Sequence, residues 1–288
     1  MNWRLYHPIF EYQQILNQPS YPWLGHIYFA YDLVANIKPK VIVELGVARG
    51  ISFFSFCQAI KDLKLKTKIY GIDTWQGDKH TGQYDQKIFS QVKNINSTYY
   101  PKLNTSLLKQ TFDKVVPKFA DSGIDLLHID GYHTYEAVAH DYQTWLPKMS
   151  ANGIILFHDI VEKRSDFGVY KLWKILQKKY STYQFSHSHG LGVVFLGQKS
   201  PLADFIALDL EDYYKNYSLK EKHQIESRHK LVNQYQDTIQ KIVKESAAND
   251  QKIKVQIRQL QKEIATMKSS KFWKMRDKYY RLLGRKID

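Results

Sequence analysis

Between Lys40 and Leu196, short apolar runs alternate with longer amphipathic segments, and glycine or charged residues punctuate the joins. Val41-Ile42-Val43 reads as a buried strand, followed by a turn over Gly46–Gly50 and a helix to about Leu63. Lys68–Ile72 gives a second strand and Ile124–Ile129 a later one. A helix is expected from about Tyr135 to Lys148, then the strand Gly153–Phe157 and a helix over Lys171–Lys179. Tyr183–Phe185 and Gly192–Leu196, joined through Gly190-Leu191-Gly192, suggest an antiparallel closing hairpin at the sheet edge. Such alternation packs helices on both faces of one sheet, so the predicted class is α/β, a Rossmann-like doubly wound sheet.

A length of 288 residues accommodates one sizeable domain and an appendage. Residues 1–37 are aromatic-rich and suggest a helical cap, 38–200 form the main domain, and 201–288 a helical tail. In the tail, Ile253, Ile257, Leu260, Ile264 and Met267 follow a 4-3-4-3 spacing. That is a coiled-coil seam of about two heptads, which would support a homo-oligomer. Lys271 to Arg285 then mixes aromatic or aliphatic residues with cations. A helix of this kind would lie on an anionic membrane surface or dock on its own domain or on a twin subunit.

The net charge of +14 is compatible with nucleic acid, an anionic membrane or an acidic substrate. No RNA-binding module is recognisable, which argues against nucleic acid. Cys57 is the only cysteine, so a disulfide framework and a cysteine-rich zinc site are excluded. No apolar run approaches the ~18–20 residues that span a bilayer. The expectation is a soluble, cytoplasmic protein, with any membrane contact peripheral.

In open α/β sheets ligands bind beyond the carboxyl ends of the strands, so the residues closing each strand carry the functional argument. The first group is Glu44-Leu45-Gly46-Val47-Ala48-Arg49-Gly50-Ile51-Ser52. Its glycines admit a ligand close to the backbone, and the helix start behind them offers N–H groups to an anion. Ala48 stands where the dinucleotide pattern has its second glycine, which disfavours a nicotinamide-dependent dehydrogenase. Asp73 closes the second strand at the position suited to gripping ribose hydroxyls. Asp130 and His133 leave a third strand at a glycine turn, and His158-Asp159 a fourth. Carboxylates with imidazole suit Mg²⁺ or another divalent cation, and His133 is suited to act as general base. His128, pointing inward on its strand, is expected to be a core residue. Trp75, Tyr84 and Tyr132 would provide walls for a sugar ring.

Over residues 38–198 these motifs resemble the class I S-adenosylmethionine-dependent methyltransferases related to catechol and macrolide-sugar O-methyltransferases. Asp73-Thr74-Trp75-Gln76-Gly77-Asp78, His128 to Tyr135 and Phe157-His158-Asp159 are similar to a bacterial group often associated with glycosyltransferases. The resemblance implies S-adenosylmethionine as cofactor, held by Glu44, Gly46, Gly50, Ser52 and Asp73. It implies Asp130, His158 and Asp159 around a divalent metal, with Asp130 and His133 catalytic. His158 departs from the acidic or amide residue usual there. The implied acceptor is a small molecule or glycan, namely a sugar hydroxyl of a bacterial surface glycan or glycoconjugate, and the tail would contact a glycosyltransferase or the membrane. Two alternatives stay open: a non-catalytic scaffold on this fold, and an RNA methyltransferase.

Overall fold

The computed structural model describes residues 3–12, 22–85, 87–197, 210–216, 234, 237, 238, 255–263, 265 and 266. A central strand, β1 (Val41–Leu45), is buried on both faces, as its apolar run Val41-Ile42-Val43 requires. It pairs in parallel with β2 (Lys68–Asp73) on one side and β6 (Ile124–Ile129) on the other. A small hairpin, β3 (Gly77–Asp78) and β4 (Gly82–Gln83), follows β2. Beyond β2 lies β5 (Asn104–Lys109), and beyond β6 lies β7 (Met149–His158), both parallel to their neighbours. The closing hairpin is β8 (Ser181–Phe185) and β9 (Leu191–Phe195), with β9 antiparallel to β7. The order β5-β2-β1-β6-β7-β9-β8 is that of the expected Rossmann-like doubly wound sheet, with one antiparallel strand, β9, in the closing hairpin.

Helices α1 (Ile27–Ile37) and α2 (Ile51–Asp62) pack on each other, and the apolar side chains of α2 are buried. The core also takes in the short α4 (Phe112–Val115), α5 (Tyr135–Trp145) and α6 (Val169–Lys179), through Val115, Val138, Trp145, Leu172 and Trp173. Thr134 caps α5, its side chain accepting from the Ala137 N–H. Among the elements absent from the sequence expectation are α3 (Lys87–Tyr99) and β5. Only Ile88, Val92 and Ile95 of α3 are buried, at helical spacing, in a segment dominated by Asn, Ser and Lys. β5 is an edge strand of which no residue is fully buried, so it carries no apolar run. β7 begins four residues earlier than expected, because Met149 pairs with Ile124 across an irregularity in the register.

The chain divides into two units, residues 1–221 and 222–288. The N-terminal segment belongs to the first unit. There Asp32, fully buried, accepts from the Tyr6 N–H at 3.0 Å and the Tyr214 hydroxyl at 2.6 Å. Burial outweighs these hydrogen bonds and pushes its carboxyl up to about 7. An unfolded Asp ionises near 3.9, so the folded chain holds an extra proton between these values. The stabilisation from this group is therefore complete below about pH 4 and lost as pH rises through about 7, on the order of 4 kcal/mol. Asp32→Asn, neutral throughout, is expected to flatten this part of the profile and to raise the unfolding temperature at about pH 8. Thermal unfolding of both proteins across that range checks it; parallel profiles would contradict it.

In the second unit, 255–263 are helical, with Ile257 and Leu260 half-buried. Ile253, Ile264, Met267 and the basic segment 271–288 lie outside the described residues, and with them most of the expected coiled coil and the amphipathic helix. No helix among the described residues is long and apolar enough to cross a membrane.

Candidate functional site

The carboxyl ends of β1, β2 and β6 are tied together by backbone bonds: the Gly46 N–H donates to Ile72 O, and the Asp130 N–H to Leu45 O. Gly46 adopts φ +90°, and a Cβ there would lie 1.9 Å from the Asp130 carbonyl oxygen. Only glycine allows this approach, which brings the turn after β1 against the turn after β6. Gly50, at φ +85°, begins α2 with no side-chain cap, so that helix start presents free N–H groups.

Asp73 ends β2 with both oxygens held: Oδ2 accepts from the Ala48 N–H at 2.8 Å and Oδ1 from the Trp75 N–H at 2.7 Å. The Trp75 indole N–H donates to the Ala48 carbonyl at 2.8 Å, bracing the same turn. Burial raises the Asp73 carboxyl above its usual range, against these backbone bonds. The four lone pairs of the carboxylate exceed these backbone donors, which leaves capacity for a ligand.

A cavity of about 900 Å³ runs along these strand ends. Gly46, Gly50, Ser52 and Asp73 line it, as do Asp130, His133, His158 and Asp159. Tyr84 and Tyr132 also reach it, whereas Trp75 is not among its walls. Glu44 stays behind the cavity, fully buried: its carboxylate accepts from the Ser52 hydroxyl and lies 2.9 Å from His128 Nδ1. Burial raises this carboxyl too. His128 is thus a core residue paired with Glu44, and the Ser52 hydroxyl is turned toward Glu44.

On the wall of the same cavity, one ligand atom each from Asp130, His133 and Asp159 lies within 4.8 Å of the others. His133 Nε2 is 3.0 Å from Asp159 Oδ2 and 3.4 Å from Asp130 Oδ1. His158 Nδ1 is 3.4 Å from Asp159 and 3.5 Å from Asp130, while its Nε2 is 3.1 Å from the Ser188 carbonyl. That carbonyl can only accept, so Nε2 carries a proton and Nδ1 faces the carboxylates. An imidazole held by a backbone carbonyl on one nitrogen and aimed at carboxylates with the other has the layout of a metal ligand.

Burial alone would lower both imidazoles. The neighbouring carboxylates outweigh it, raising His133 to about 9 and His158 to about 10. Conversely, burial works to raise Asp130 and Asp159, but His158 and the hydrogen bonds to it and His133 hold both well below the usual range.

Several participants were not found in the sequence. His80, on the β3–β4 hairpin, stacks against Phe167 at 4.4 Å and Tyr132 at 4.8 Å. Its Nε2 pairs with Asp166, and its Nδ1 lies 3.4 Å from His133 Nδ1. His189 Nδ1 is 3.1 Å from Asp159 Oδ1, and Trp23 of the N-terminal segment packs on His158 and His128. The flanking glycines Gly77 and Gly82 were the only local signal for His80. The roles of His189 and Trp23 depend on contacts distant in sequence.

Residues 43–160 match the Methyltransf_24 family model, described as a methyltransferase domain. The chain is 39% identical over 181 residues to the uncharacterized protein y4gI of Sinorhizobium fredii. That match takes in 63% of the chain but only 20% of the relative. Among solved structures, a methyltransferase from Geobacter sulfurreducens is similar with a TM-score of 0.47 and 14% identity, over 64% of this chain and 85% of that one. The Podospora anserina methyltransferase PaMTH1, bound to S-adenosylhomocysteine, gives 0.46 and 16% over 59% and 76%. The O-methyltransferase TomG from Streptomyces achromogenes, in complex with SAM, gives 0.44 and 11% over 61% and 80%. Likeness at this level says nothing about activity.

Proposed function

We propose that the protein is an S-adenosylmethionine-dependent O-methyltransferase whose acceptor is a sugar hydroxyl of a bacterial surface glycan or glycoconjugate. The observation that carries this reading is a single cavity joining the Asp73 turn to the Asp130–His133–Asp159 group. The methyltransferase-domain match over the same strand ends supports it.

The residues present fit both groups the reading requires. Asp73 would accept from ribose hydroxyls through its unused lone pairs, and the uncapped start of α2 would receive the cofactor's carboxylate. Bound S-adenosylmethionine would supply an electrophilic methyl group on a sulfonium. Asp130, Asp159 and the Nδ1 of His158 would hold a divalent cation, whose Lewis acidity would make a bound hydroxyl more acidic. His133 would take the hydroxyl proton at Nε2. Tyr84 and Tyr132 would present ring faces to a sugar.

Without a cation, the two carboxylates keep His133 protonated up to about pH 9, a state unable to act as base. A cation held by those carboxylates would compete with that proton, so binding should release it. The same cation would also displace the proton from His158 Nδ1, which the carboxylates hold up to about pH 10. Affinity for Mn²⁺ is therefore expected to rise by up to about a hundredfold per pH unit between roughly pH 7 and 9. Titrations at three pH values check this, and a pH-independent affinity would contradict the metal assignment.

The reading as a whole is tested by incubating the protein with methyl-radiolabelled S-adenosylmethionine and fractionated bacterial surface glycans. Label is expected in a glycan fraction. Label confined to an RNA fraction would overturn the acceptor assignment.

A further inference from the structure

At the end of the sheet opposite the cavity, six lysines crowd the starts of three adjacent strands. Lys38 and Lys40 precede β1, Lys64, Lys66 and Lys68 lead into β2, and Lys102 precedes β5. All six are exposed. The register puts Val41 beside Lys68 and Lys68 beside Asn104, and the Lys68 N–H donates to the Lys40 carbonyl. Neighbouring strands are about 4.8 Å apart, so these charges share one small surface.

Asp62, Asp121 and Asp125 at this end are fewer than the six lysines. Asp121 pairs with Lys148. Asp125 accepts from the Lys40 and Val41 N–H groups and from Ser150, and Asp62 from Tyr31 and Gln58. None of the six lysines forms an ion pair with a described residue. Six like charges held together oppose the compact state, so their concentration at one end calls for an anionic partner.

We propose that this lysine pole docks the protein on an anionic lipid surface. Lysine is a compact point charge on a flexible stem, suited to a diffuse field of phosphates rather than to bidentate recognition of one group. Single-stranded nucleic acid is held largely by stacking on aromatic side chains, and no aromatic residue among the described residues is exposed. The cavity lies at the carboxyl ends of the strands, so docking through the opposite pole leaves its mouth free. None of these six lysines belongs to the basic C-terminal segment, and the proposal does not depend on the methyl-transfer reading.

The test is co-sedimentation of the full chain with vesicles of equal parts phosphatidylglycerol and phosphatidylcholine, and with phosphatidylcholine alone. The wild type should partition to the anionic vesicles only, and release as salt is raised. A variant with Lys40, Lys66, Lys68 and Lys102 changed to Glu should bind at least about tenfold more weakly. A control with the same charge change at Lys87, Lys93, Lys171 and Lys174 should stay within about twofold, since charge near the surface dominates. If the Glu variant unfolds below the wild-type temperature, the same four positions changed to Gln give the comparison, with the same direction expected. Equal loss in both variants, retained binding in both, or absence of wild-type binding would overturn the proposal. So would displacement of the protein from vesicles by duplex DNA with the same dependence on the four lysines.

Discussion

Asp73→Ala is expected to weaken binding of S-adenosylhomocysteine at least about 100-fold, the loss of roughly 2.7 kcal/mol. The effect has two sources. The carboxylate would make charge-assisted hydrogen bonds to both ribose hydroxyls, each worth about 1.5–3 kcal/mol. It also shapes the turn, since the Ala48 and Trp75 N–H groups converge on it and lose their acceptor in the variant. Thermal unfolding with ligand reads this directly. At a ligand concentration of about 100 times the dissociation constant, a bound protein gains about 2.7 kcal/mol. A variant with 100-fold weaker binding gains about 0.4 kcal/mol under the same conditions. An undiminished ligand-induced shift in Asp73→Ala would remove Asp73 from the binding site.

His133→Ala is expected to slow methyl transfer to the glycan acceptor about a thousandfold, within the 10²–10⁴ range of a positioned general base. Its effect on S-adenosylhomocysteine binding should be slight, because the partners of His133 are Asp130, Asp159, His80 and Phe167, none of them in the Asp73 turn. The two variants therefore separate binding from chemistry. A His133→Ala enzyme with near-normal turnover would leave the cation and the carboxylates to activate the hydroxyl unaided. His133→Gln, which keeps a polar side chain without a titrating nitrogen, should not recover the rate.

What was legible in the sequence is what depends on local pattern. Val41-Ile42-Val43 is apolar because β1 is buried on both faces, and the glycines after it are dictated by a turn that no Cβ could enter. Asp73, Asp130 and Asp159 stand out because a carboxylate at the end of an apolar strand is costly unless it is used. The structure does bring Asp130, His133, His158 and Asp159 together, and it puts Asp73 on the same cavity. Glu44 was less legible: it lies within β1 rather than beyond its carboxyl end, so it meets Ser52 and His128 in the interior and does not line the cavity. β5 escaped notice because an edge strand needs no apolar face, and α3 because three buried side chains suffice to seat it. His80 could not be placed from sequence, since its partners Phe167, Asp166 and His133 are 53 or more residues away and meet it only in the folded chain.

The central claim is that the cavity between Gly46 and Asp159 binds S-adenosylmethionine. Isothermal titration of the full chain with S-adenosylhomocysteine, with and without Mg²⁺, tests it most directly. One site per chain with a dissociation constant in the micromolar range is predicted, and absence of binding heat and of any thermal shift under both conditions would contradict it.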